Sequence, residues 1–496
     1  MRDVAPSILV AFLLLLPGAL DVAGPYLDAA VYSEVGTAIR DGGVVYMDVW
    51  DHKPPGIYVV DALSQAAMPF VSPWIATWVA SLVFAAATLL LLGMVLPTDA
   101  AGRRIGLALC AAAAVLTLYP VAVGGGLAEV PALAFAMAAF VLVSRQGARS
   151  GRVLLAGGLA GWACVVSPQA ASAALAVLYL AADGGSPSNR VRAIGVLALG
   201  AAIVSACTVL WLWSIGALPA AVDAVVTYNR AYVEINRQSV GPRLISPIVL
   251  SLGCLACLLL PAVFSRMGLA NAGIPQSRLT TAAQIWLVGV VLVIAAQGRI
   301  SPHYVLLAVP PLAILGAPVF DEAFQETRRT LRRRAFLTVL GGIVVTAVVG
   351  SFVTQRYLTR SPNRDQVTTV GAWLRTNTPA DASVFTWGNQ PYIHDIADRP
   401  PASKYVYMLP LTTPGYSSTE QVAKLVDHLE AEPPHAIIDA GSAAPGEPGW
   451  LPLLIPRTVV RVDGRELDLL DPLREFVLDH YHLAEVVDGW PVYLRD

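Results

Sequence analysis

Lysine is the scarcest charged residue in this sequence: Lys53, Lys404 and Lys424 are the only three among 33 basic positions. Charge is sparse altogether, with Asp, Glu, Lys and Arg making up 14% of 496 residues and a net charge of -2 at pH 7. That balance excludes nucleic acid as a partner, because a phosphate backbone demands a basic surface. Cysteine is sparse too. All five (Cys110, Cys164, Cys207, Cys254 and Cys257) fall inside apolar runs, so no disulfide framework is expected. Cys254 and Cys257 form a C-x-x-C, but with no histidine nearby and apolar surroundings it does not read as a metal or redox pair. The chain also lacks a Gly-rich phosphate loop, and it has no D-x-D or soluble nucleotide-sugar domain.

Apolar surface is what the chain has in excess. It is 56% hydrophobic with a mean hydropathy of +0.61, which marks a polytopic membrane protein. Runs approaching the roughly 20 residues needed to span fall at 4–20, 74–96, 105–121, 127–143, 153–167, 169–182, 193–215, 247–264, 280–296, 303–319 and 335–353. About eleven spans are expected. The first run resembles a signal peptide but lacks a convincing small-residue cleavage site, and it is read as a membrane helix. Loop charge then sets orientation. One set of loops holds Arg2, Arg103, Arg104, Arg145, Arg149, Arg152, Arg190, Arg192, Arg266 and Arg278, then Arg328, Arg329 and Arg332 to Arg334. The alternate loops hold only Arg40, Lys53, Arg230, Arg237, Arg243 and Arg299. The first set is expected in the cytoplasm, with the N-terminus inside and the C-terminal region outside a plasma membrane.

After Phe352 the pattern changes. DQVTTVGAWLRTN, TEQVAKLVDHLEA and LREFVLDHY read as helices; SVFTWG, HAIIDAG, LAEVVDG and PVYLR read as strands. The expected organisation is a membrane domain over 1–353 and an extracytoplasmic α/β domain over 354–496. The latter either covers the outer mouth and helps select a substrate, or serves folding and stability.

The carboxylates that the spans avoid collect in the first external loop, 21–73. Between Tyr26 and Tyr58 it carries Asp28, Glu34, Asp41, Asp48, Asp51, His52 and Lys53. Ionisable groups that a membrane protein gathers at a wet mouth are candidates for function. DAAVYSEVGTAI has helical spacing, with Asp28 near its start and Tyr32 one turn on. Asp28 suits either an N-cap or a working carboxylate. In DHKPPG each Pro fixes its own backbone and restricts the residue before it, so the Lys53 ammonium is presented at a defined place. It can bind a phosphate or snorkel to lipid headgroups.

D-x-x-x-Y after the first run, then G-x-x-x-Y-x-D and D-H-K-P-P-G before the second, resemble the GT-C membrane glycosyltransferases. The nearest branch holds the dolichyl-phosphate-mannose protein mannosyltransferases and the bacterial aminoarabinose transferase of lipid A. The resemblance continues more loosely through GGGLAEVPAL (124–133), GRISPHYVLLAVPPLAIL (298–315) and VFTWGNQPYIHDIADRPPASKYVY (384–407). It implies an α-helical polytopic bundle with a donor and acceptor cavity at the outer face. It also implies sugar transfer, with inversion, from a polyprenyl-phosphate donor to a cell-envelope glycan, lipid or protein.

Carried over by position, the resemblance makes Asp28 the general base and Lys53 the ligand of the donor phosphate. Arg299 and His303 become a second phosphate clamp, or else helix-end anchors. Glu129 becomes a second carboxylate that orients the acceptor or joins Asp28 around a divalent cation. It could equally be a helix N-terminal acid. The family's usual Asp-Glu pair is Asp28-Ala29 here, which puts a metal at that pair in doubt; Glu34, Asp48 or Asp51 could substitute. The non-enzyme alternative is a lipid or glycolipid transporter. Against it, span centres are nearly free of charge and no matching interrupted halves are visible.

Overall fold

The computed structural model describes residues 4–9, 12–13, 27–118, 125–145, 147–183, 186–238, 245–269, 277–297, 301–324, 329–358, 363–441, 453–454, 461–462, 465–466 and 468–496. The first loop opens with helix α1 (Leu27–Arg40), whose acidic Asp28 and basic Arg40 lie at the ends that the helix dipole favours. A second helix, α2 (Gly56–Ala67), follows Pro55. It was not anticipated from sequence, and it separates Lys53 from the next span. Gly56 packs so closely on α6 (Ser150–Val166) that an added Cβ would lie 2.6 Å from the Val165 carbonyl.

The bundle is built from α3 (Pro73–Val95), α4 (Ala100–Leu118), α5 (Glu129–Ser144), α6, α7 (Ala171–Ala182) and α8 (Pro187–Ser214). Ser72 caps α3 and Ser186 caps α8, each followed by Pro at the first helical position. After α9 (Asn229–Gln238) come α10 (Ile245–Cys254), α11 (Ala256–Phe264), α12 (Arg278–Gln297), α13 (Val309–Phe324) and α14 (Arg329–Leu358).

Among the described residues six helices are long and apolar enough to cross a membrane, or seven if one bent pair counts as a span. Three more apolar helices, Glu129–Ser144, Ser150–Val166 and Pro168–Ala182, are shorter. All the expected runs after the first coincide with helices; run 4–20 lies mostly outside the described residues. The run at 247–264 is not one straight helix: it bends by 77° between Cys254 and Ala256. Thr346 of α14 bridges the break, its Oγ1 accepting from Cys257 N–H at 2.9 Å and donating to the Gly253 carbonyl at 3.3 Å. That contact satisfies backbone groups which apolar surroundings would otherwise leave unpaired.

Beyond α14 the chain forms α15 (Asn363–Asn377), β1 (Val384–Trp387), α16 (Thr419–Ala431), β2 (Ala436–Asp439), α17 (Asp471–His480), β3 (Tyr481–Val487) and β4 (Trp490–Arg495). The four strands make one sheet in the order β1-β2-β4-β3, with β1 and β2 parallel and the other pairs antiparallel. β1 and β2 are fully buried, in keeping with their mostly apolar residues. Ser418 and Gln421 form a capping box at the start of α16. Leu425 and Leu429 from α16 and Leu473 and Phe476 from α17 are buried in the domain's core.

Candidate active site

The site begins with the backbone of the first loop. Val45 and Val49 form a bridge around Tyr46, a fully buried residue in the left-handed region at φ 68°. Non-glycine residues adopt that conformation at a cost, and they keep it only where surrounding contacts hold it. Here the Tyr46 hydroxyl donates to the Lys53 carbonyl at 2.8 Å. From the other side the Tyr58 hydroxyl accepts the Lys53 N–H at 3.0 Å. Two tyrosines therefore clamp the Lys53 backbone, and Pro54 and Pro55 follow without a donor to satisfy.

Asp51 is buried to 2% exposure and fully partnered. Tyr58 donates to its Oδ2 at 2.6 Å, Tyr407 donates to its Oδ1 at 2.6 Å, and His52 Nδ1 lies 3.0 Å from the same Oδ1. Burial alone would raise this carboxyl. The charge of His52 and the hydrogen bonds from His52, Tyr407 and Tyr58 outweigh burial and hold it at about 2.

Lys53 is also buried, at 9% exposure, and its ammonium makes no ion pair among the described residues. Its Nζ sits 5.9 Å from the centre of the Tyr304 ring. Burial would lower its pKa. The fields of Tyr304, Glu129, Asp28 and Asp51 reverse that and raise it, so the cation persists at any physiological pH. Asp28 accepts no hydrogen bond among the described residues. Tyr32, one turn on, is buried beside it. Burial first, then the charges of Asp28, Asp51 and Glu129, push its phenol up, so it stays neutral.

Glu129 reaches this group by way of the glycine turn. Gly126 has φ +86°, and a Cβ there would lie 2.8 Å from Ala29 Cβ, so only glycine lets the turn press against α1 beside Asp28. Ser81 Oγ accepts the Gly126 N–H at 2.9 Å. Glu129 follows as the first residue of α5, buried to 1%, with its Oε1 3.3 Å from Ser167 Oγ; Gln169 Oε1 lies 2.5 Å from that hydroxyl.

The remaining expected residues are scattered. His303 is buried and packs edge-on against Tyr304, with ring centres 4.4 Å apart; it is Tyr304 that faces Lys53. Arg299 lies outside the described residues. Glu34 is buried in a separate group with Asp395, Arg40 and Asp41. Asp48 is exposed and accepts the Val44 N–H at 2.7 Å, a turn contact. Among the described residues no three His, Cys, Asp or Glu side chains converge to hold a metal ion.

The C-terminal domain completes the site. Trp50 N–H donates to the Lys404 carbonyl at 2.8 Å, Tyr407 donates to Asp51, and Tyr416 donates to Asp223 at 2.6 Å. Sequence reasoning quoted Tyr58 and Tyr407 inside their motifs but gave them no role, and Tyr304, Ser167 and Gln169 were likewise unassigned. Each is a neutral polar residue whose importance comes from a partner far away in the chain. The usable signal was position: Tyr58 closes the D-H-K-P-P-G segment, and Tyr304 adjoins His303.

No protein-family model matches the sequence, and no curated protein matches it. Solved structures do. ArnT from Cupriavidus metallidurans bound to undecaprenyl phosphate matches with a TM-score of 0.57 at 14% identity, covering 99% of this chain and 97% of that one. The archaeal oligosaccharyltransferase AglB from Archaeoglobus fulgidus, in complex with an inhibitory peptide and a dolichol-phosphate, matches with a TM-score of 0.52 at 13% identity, covering 88% of this chain and 69% of that one. At such identities the likeness concerns architecture alone: this multi-pass membrane chain shares its fold with the ArnT and AglB structures.

Proposed function

We propose that this protein is a membrane glycosyltransferase that moves a sugar from a polyprenyl-phosphate donor to a cell-envelope acceptor, with inversion. The observation that carries the reading is Lys53: a buried ammonium without an ion-pair partner among the described residues, on a backbone clamped by Tyr46 and Tyr58 and within the field of Asp28 and Glu129. A preorganised, partly desolvated cation is suited to a phosphate whose charge grows as it leaves. The solved structures with this fold carry undecaprenyl phosphate in ArnT and a dolichol-phosphate in AglB, which supports a lipid phosphate as the donor. A small apolar cleft of about 50 Å³, lined by Ser81, Leu92, Cys110, Gly125, Val130 and Leu306, adjoins the glycine turn.

In this reading an acceptor hydroxyl oxygen attacks the anomeric carbon from the face opposite the phosphate. Its bond to C1 forms as the bond from C1 to the phosphate oxygen breaks, and the electron pair leaves on the phosphate. Asp28, with no competing hydrogen bond among the described residues, takes the hydroxyl proton. Lys53 stabilises the departing polyprenyl phosphate, and Glu129, oriented by Ser167, positions the acceptor. Arg299 and His303 are proposed as further phosphate contacts. The arginine distribution supports a cytoplasmic N-terminus and a plasma-membrane site at the outer face, with residues 354–496 as an extracytoplasmic domain.

The test is transfer from a panel of radiolabelled polyprenyl-phosphate sugars by protein purified into lipid, with membrane extract as acceptor. Wild type is expected to consume one donor and release polyprenyl phosphate. Asp28→Asn is expected to lose about 10²–10⁴-fold in turnover while still binding donor. Donor left intact by wild type would overturn the reading and favour lipid transport.

A further inference from the structure

His52 sits beside the buried carboxylate of Asp51, yet the chemistry above gives it no part. Its Nδ1 is 3.0 Å from Asp51 Oδ1 and 3.4 Å from the Tyr407 hydroxyl. Tyr58 and Tyr407 already donate to Asp51, so the carboxylate is the acceptor and His52 Nδ1 carries the proton that meets it. This fixes the tautomer. Nε2, on the far edge of the ring, is left to meet a ligand hydroxyl, as an acceptor in the neutral ring and as a donor in the charged one, and no residue among those described satisfies it. The ring's position is fixed as well. Asn229 Nδ2 donates to the His52 carbonyl at 2.8 Å, tying the loop to α9. The His52 side chain keeps 18% of its surface exposed.

Around it stands an aromatic wall in two layers. The back layer is buried: Trp50 and Tyr228, 4.9 Å apart and edge to face, with Tyr407 behind them. The front layer is His52 and Tyr232, ring centres 5.8 Å apart and both partly exposed. Tyr232 is stacked on Tyr228 at 5.9 Å and 17°, so it is a rigid face and not a mobile side chain. Along the flank of the same helix lies an open pocket of about 420 Å³, to which Asn229, Arg230 and Glu234 bring amide, guanidinium and carboxylate groups. The wall adjoins the first-loop site through His52, whose ring meets both Tyr232 and the Asp51 carboxylate next to Lys53.

Resting on the glycosyltransferase reading, we infer that the acceptor is a carbohydrate, seated on Tyr232 and hydrogen-bonded through one hydroxyl to His52 Nε2. A sugar ring has an apolar C–H face that covers an aromatic surface and a rim of hydroxyls that pairs with planar polar groups. That is the combination built here, on rigid supports. An extended peptide would instead seek backbone partners at a strand edge, and a lipid chain would seek an apolar groove. Asp51 is the positioning residue: it touches no acceptor and acts by holding the His52 ring and tautomer.

The experiment uses the full-length protein in lipid nanodiscs, titrated with p-nitrophenyl glucoside, mannoside, galactoside and arabinofuranoside and followed by saturation-transfer NMR. A serine- and threonine-containing peptide is titrated in parallel. At least one glycoside is expected to bind wild type up to millimolar concentration. Tyr232→Ala and His52→Gln are each expected to weaken it about tenfold. Tyr232→Phe, which keeps the aromatic face, should retain binding. Undecaprenyl phosphate binding should be unchanged in all three variants, which localises their defect to the acceptor side. No glycoside bound by wild type, equal binding by both Tyr232→Ala and His52→Gln, or His52-dependent binding of the peptide would each overturn the carbohydrate assignment. Failure of wild type to bind undecaprenyl phosphate would instead count against the donor reading, so the two are separable.

Discussion

Tyr58 accepts the Lys53 backbone N–H at 3.0 Å while giving its own proton to Asp51 at 2.6 Å, so one phenol fixes both the loop's cation and its buried anion. Tyr58→Phe removes both bonds and leaves a buried donor and a buried charge each short of a partner. It should cost about 1–3 kcal/mol in stability. Thermal unfolding of the purified variant measures this, and a melting temperature equal to wild type would show that water replaces the hydroxyl.

Lys53 is the group through which a phosphate should be felt. Lys53→Gln, which keeps most of the length without the charge, is expected to weaken undecaprenyl phosphate binding at least about tenfold. Equilibrium binding in nanodiscs reads this directly. Affinity within twofold of wild type, about the scatter of such assays, would move the phosphate site elsewhere.

Gly126 lets the turn before Glu129 press against α1. Gly126→Ala meets both a positive φ and the Ala29 methyl 2.8 Å away, and should destabilise by about 1–3 kcal/mol. Turnover should fall further than stability explains, because Glu129 shifts relative to Asp28. Gly151→Ala, where an added Cβ meets nothing within 4 Å, is the control and should change neither.

The group at Glu34 gives a pH dependence whose sign is fixed. Burial raises the Glu34 carboxyl, and neighbouring Asp395 raises it further. Burial also raises Asp395, to about 6, against the opposing pull of Arg40. Acids with raised folded pKa values stabilise fully below their unfolded values, near about 4, and that contribution is lost as pH rises through about 6. The contact between α1 and the C-terminal domain should therefore loosen from pH 5 to pH 7.5. Glu34→Gln should gain of order 1 kcal/mol at pH 7.5 and less at pH 5. Melting curves at the two pH values test it; an equal shift at both would show that the pair does not titrate in this range.

Much of this was readable from residues. Asp28 in the first turn of α1, the apolar runs and the alternation of the C-terminal segments are local patterns, and local patterns survive in sequence. The bend between Cys254 and Ala256 was hidden because Gly253 alone does not interrupt an apolar run; it depends on Thr346 from another helix, which bridges Gly253 and Cys257. Helix α2 was missed because GIYVVDALSQAA lies between a proline pair and the next span, where a turn read just as well. The candidate site was half legible. Asp28, Lys53 and Glu129 are charged and conspicuous. Tyr46, Tyr58, Tyr304 and Tyr407 are ordinary tyrosines until the fold supplies their partners.

The hydrogen bond between Tyr407 and Asp51 joins positions 356 residues apart, and this has a consequence for how the protein is made. The loop leaves the ribosome early, while its partner emerges near the end of synthesis. At ~5–20 residues per second the delay is roughly 20–70 s. Through that interval the nascent loop holds Asp51 without one of its three donors, and the His52 ring lacks its final brace. The pocket therefore matures last, after the translated membrane bundle is already in place.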